Sequence, residues 1–143
     1  MFYKIYYYMV IALLFVSCTS ETNTKVIIIT ETLPPSFQLK GSGYISRFVI
    51  YGPLSGEYAK EEDRPIAWKI FPNVESSSKV ISDLPPIKFG EPPPGWTQHD
   101  ATRGAPAPLV EGGVYRVVAN TNSANSGFLD FTIQQGRAVS LNP

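Results

Sequence analysis

Residues 113–141 read GVYRVVANTNSANSGFLDFTIQQGRAVSL, and their pattern decides the fold class. Leu129, Phe131 and Ile133 alternate with Phe128, Asp130 and Thr132, the period of two expected of a strand with one buried face. Val114 to Ala119 is a β-rich run before them, and Asn120 to Gly127 is a polar turn between the two. Gln134-Gln135-Gly136 supplies a tight turn into Arg137–Leu141, where Val139 and Leu141 flank Ser140. Three strands joined by short turns form an antiparallel meander, not a helical hairpin.

Upstream residues extend the pattern. Val26 to Ile29 is a β-branched run closed by Pro34-Pro35. Phe37 and Leu39 then alternate up to the turn Gly41-Ser42-Gly43. Tyr44 to Tyr51, YISRFVIY, is apolar on both faces, as an inner strand requires, and Gly52-Pro53 ends it. Ile66, Trp68 and Ile70 share one face of a further strand, with Ala67 and Lys69 on the other, until Pro72. Lys79-Val80-Ile81 is read as a short strand. From Pro85 to Pro108, seven prolines and three glycines fall within 24 residues, which predicts a long structured loop. No helical period appears after residue 17. The expectation is an all-β chain: a single antiparallel, immunoglobulin-like β-sandwich of about seven to eight strands with a long proline-rich loop.

The first seventeen residues, MFYKIYYYMVIALLFVS, differ in kind. One early cation, Lys4, precedes an apolar run too short to span a bilayer as a lone helix, and small Ser17 stands just before Cys18. Leu14-Phe15-Val16-Ser17-Cys18 resembles the lipobox of bacterial lipoproteins, although Phe15 stands where leucine is usual. The resemblance implies removal of residues 1–17 as a signal peptide and acylation of Cys18 on its sulfur and then on its new amine. Several chains anchor where one would be marginal. Residues 18–24 would be the lipidated cysteine and tether, and 25–143 the sandwich domain. The protein would sit in the cell envelope, held to the membrane through Cys18, and in the outer membrane if the host is Gram-negative.

A second resemblance lies in Leu109-Val110-Glu111-Gly112-Gly113-Val114-Tyr115. Leu109, Gly112 and Tyr115 have the spacing of the tyrosine corner of fibronectin type III and related immunoglobulin-like domains. It implies that the Tyr115 hydroxyl bonds to backbone upstream. Tyr115 as a plain strand aromatic is the competing account. SFQLKGSG (36–43) and DLPPIKFGEPPPGW (83–96) resemble a widespread class of small bacterial lipoproteins, from which no activity follows.

Composition limits the chemistry. Without Lys4 the mature chain holds eleven basic and twelve acidic side chains, scattered singly, so nucleic acid is not an expected partner. One cysteine excludes an internal disulfide, and one histidine with one lipidated cysteine cannot assemble a zinc site. Glu61-Glu62-Asp63 is better explained as a charged loop than as a Ca²⁺ site. Gly-x-Ser-x-Gly and phosphate-loop motifs are absent, so a non-enzyme without cofactor or metal is expected. A small hydrolase built on His99 is the more remote alternative. The candidate binding residues are Trp96 and His99. Pro92-Pro93-Pro94-Gly95 can hold the Trp96 indole out to stack on a glycan or fill a partner's pocket, or the same indole can cover one end of the sandwich. The partner would be an unidentified envelope protein or a glycan.

Overall fold

The computed structural model describes residues 23–99, 104–122 and 125–142. The predicted leader and Cys18 lie outside them. Nine strands run through these residues: β1 (Lys25–Thr30), β2 (Ser36–Lys40), β3 (Ile45–Tyr51), β4 (Ile66–Pro72), β5 (Ile87–Lys88), β6 (Trp96–Gln98), β7 (Val114–Thr121), β8 (Gly127–Gln134) and β9 (Arg137–Ser140). They form two antiparallel sheets, β1-β2-β5 and β6-β4-β3-β7-β8-β9, the all-β sandwich that the alternation predicts.

The sheets meet because each turns one set of alternate residues inward. Phe37 of the small sheet packs its ring on Phe48 and Phe131 of the large one, with centroids 5.8 and 5.6 Å away. Ile45, Phe48, Ile50, Trp68, Ile70, Val117 and Ile133 are all essentially without solvent contact around it. Burying a side chain of this size contributes roughly 1.5–3 kcal/mol, and with no disulfide possible this packing must hold the fold.

Two expectations change in detail. The strand count is nine because the proline-rich stretch, read as a loop, contributes the short strands β5 and β6. Lys79-Val80-Ile81 is not a strand: Val80 makes one isolated bridge to Tyr44, and Ile81–Asp83 turns into a 3-10 helix. The described residues before β1 are already tied to the sandwich. Asn23 bridges Asn125, and Thr24 is buried with its amide donating to the Asn125 carbonyl. A one-turn helix, α1 (Val74–Ser77), is capped by Asn73, whose side-chain oxygen accepts from the Ser76 amide at 2.8 Å. Four residues are too few to leave a 3.6-residue signature.

Candidate functional site

The corner motif folds as its residues imply. The Tyr115 hydroxyl accepts a hydrogen bond from the Val110 amide at 2.9 Å, and Tyr115 is buried. Gly112 sits at φ +75°, where a side chain would be strained. A Cβ added at Gly52 would meet the Tyr115 ring at 2.5 Å, and one at Gly113 would meet it at 2.9 Å, so the ring is slotted between two glycines. Leu109 packs half-buried against the core beneath. This cluster is structural: it fixes the chain before β7 and holds no reactive group apart from the bonded phenol.

Trp96 takes the covering position. It lies on β6, opposite Pro72, and is 8% exposed within the main core. Its approach is set by local bonds, since the Trp96 amide donates to Pro93 and the Gly95 carbonyl accepts from the Asn73 amide. Gly95 itself is at φ +81°. The indole therefore has little face to offer a sugar or a partner. Its neighbour Gln98 serves the other tryptophan, accepting from Trp68 Nε1 at 3.0 Å. His99 does not join Trp96. Its amide donates to the Lys69 carbonyl, and its ring lies 6.1 Å from that of Phe71, on the face of β4 away from Trp68.

A cluster that sequence reading missed covers the outer face of the large sheet. Val49, Tyr51 and Val118 are buried on that face, packed by Leu54. The segment after β3 folds back over them: the Leu54 amide donates to Val114, and the Tyr51 hydroxyl donates to Glu61 at 2.5 Å. Burial first, and then the bond to the Glu61 carboxylate and its charge, push the Tyr51 phenol up to about 12, against the opposing effect of Arg47 and Arg64. Arg47 lies 3.6 Å from Glu61, and Arg64 stands over the Tyr51 ring. The signal for this cover was the second apolar face of YISRFVIY, which needs a lid of its own.

Further along the same face, Arg116 makes two bonds to Asp130 at 2.6 and 2.7 Å, a paired geometry that raises its already high pKa. Its guanidinium lies 5.1 Å from the Phe128 ring centroid, and Phe128 is 57% exposed. Phe128 is thus a much more accessible aromatic than Trp96. Where β1 and β8 separate, a groove of about 560 Å³ is lined by both apolar and amide side chains, including Val26, Asn125 and Leu129. Among the described residues no group of three or more His, Cys, Asp or Glu is placed to hold a metal ion. No family model, curated protein or solved structure matches the chain.

Proposed function

We propose that this chain is a lipid-anchored β-sandwich of the cell envelope that works as a non-catalytic interaction or structural module. The observation that carries the reading is the tie of Asn23 to the sandwich, so soon after Cys18 in sequence. Asn23, five residues after Cys18, is already tied to Asn125 at one end of the sandwich, its side-chain oxygen accepting from Asn125 Nδ2 at 2.9 Å. In sequence, the lipobox-like LFVSC ends only five residues before a residue of the domain, a spacing that suits an anchor on a short tether. Two further features favour an immunoglobulin-like module. Strands one, two and five form one sheet against three, four and six to nine in the other, and the Tyr115 hydroxyl holds the Val110 amide before β7. A glycan-binding role through Trp96 loses support because the indole is covered.

The test is metabolic labelling with a fatty-acid analogue in the native host. The wild-type chain should take up label and shorten on maturation, whereas Cys18→Ala should do neither. Equal labelling of both would overturn the anchor.

A further inference from the structure

The lysines of the described structure divide into two groups. Lys60, Lys79 and Lys88 each lie within 4 Å of a glutamate, at Glu62, Glu75 and Glu91, and Lys69 lies over the Phe71 ring. Lys25 and Lys40 have no such partner among the described residues, and both are exposed. They are also directly opposite each other in the β1–β2 ladder. Residues so placed share a face, with Cβ atoms about 4.5–5.5 Å apart, and like charges there oppose folding. The domain gains nothing internal from this arrangement.

Its place in the fold gives it a use. Lys25 follows the pinned residues Asn23 and Thr24, and Gly41, next to Lys40, fits so closely on Asn23 that a Cβ there would lie 3.0 Å from its carbonyl oxygen. The pair thus marks the end of the sandwich from which the chain runs back to Cys18. Five peptide steps separate Cys18 from Asn23, a reach of at most about 17 Å even when fully extended. An anchor at Cys18 would hold that end close to the bilayer surface, within range of its charge.

We infer that Lys25 and Lys40 form a seat for anionic lipid headgroups, which orients the sandwich with this end against the membrane. The inference rests on the proposed lipid anchor. Negative headgroups placed beside the pair turn a repulsion within the domain into attraction at the surface.

The test uses the full chain as the native host matures it, on vesicles of phosphatidylcholine, alone or mixed with phosphatidylglycerol. Flotation reports the anchor, and the rate of amine acylation, read by mass spectrometry at each lysine, reports the seat. On phosphatidylglycerol vesicles Lys25 and Lys40 should react about fivefold more slowly than on neutral ones. Lys60 should be unchanged, and high salt should abolish the difference. Lys25→Gln should partly release Lys40 from protection. Chains that float yet show equal rates on both vesicles would overturn the seat alone, whereas chains that fail to float would remove the anchor and the seat with it.

Discussion

Trp68 and Trp96 lie on neighbouring strands of one sheet and face one core, yet they are placed by different means. Trp68 sits on β4 opposite Ile50 of β3, one strand in from the edge strand β6. Its ring meets Phe48 and Phe89 edge-on at 6.2 and 5.7 Å, and it has no solvent contact. Trp96 stands on a three-residue edge strand at the end of a proline run, positioned by a turn from Pro93 and by the bond between Asn73 and Gly95. A long strand places its side chains by alternation, which depends on nothing but the period. The proline-rich arm places them one turn at a time, through bonds to whatever lies alongside.

The largest expected effect tests that contrast directly. Trp68→Ala should cost about 5 kcal/mol and Trp96→Ala about 3 kcal/mol, read from urea denaturation, since a cavity at an edge can collapse or fill more readily than one inside the sheet. Equal losses would mean that the arm is packed as rigidly as the sheet. A loss at Trp96 within about 0.5 kcal/mol would return it to the surface role.

The corner joins the two regions, and Tyr115→Phe isolates its bond. We expect a loss of about 1–2 kcal/mol with the fold intact, from a Val110 amide left without its acceptor. An unshifted denaturation midpoint would show that ring packing alone fixes the arm to β7.

The smallest effect concerns the lid on the outer face. Because the folded Tyr51 phenol is raised to about 12 from the ordinary value of 10.0, its neutral form favours the folded state fully below pH 10.0. That contribution is lost as pH rises through about 12. Glu61→Gln removes the charge and should bring the late phenolate absorbance step down, though it should stay above the ordinary value because burial is the leading cause. An unmoved step in Glu61→Gln would mean that burial acts alone.

The same contrast explains what the sequence made legible. β3, β4, β7 and β8 could be traced because alternation is written into residues such as Leu129, Phe131 and Ile133, whereas around β9 the alternating Val139 and Leu141 turn outward and the smaller Ala138 is the buried residue. Tyr115 was found because the corner is a local motif with fixed spacing. The strand nature of Trp96–Gln98 was hidden, since its pairing to Ile70–Pro72 depends on a segment more than twenty positions away and on no period of its own. Glu61 looked like solvated charge for a similar reason: only the fold brings it over Tyr51.

The ties at the two ends of β1 bear on how the chain is made. Asn23 joins Asn125 across 102 positions, and Glu31 joins Arg137 across 106, with the Glu31 carbonyl also accepting from the Ala138 amide. A ribosome delivers β1 well before β8 and β9. Until those strands emerge, the isoleucines at 27 and 28 can pair with β2 on one side, while the ties that secure both ends of their strand do not yet exist. Closing so long a loop adds little entropic cost over a shorter one, but it makes the step slow and late. The first strand therefore waits on the last, and a chain that lost its final hairpin would keep β2 beside β1 while β1 lost its Glu31 ties to Arg137 and Ala138.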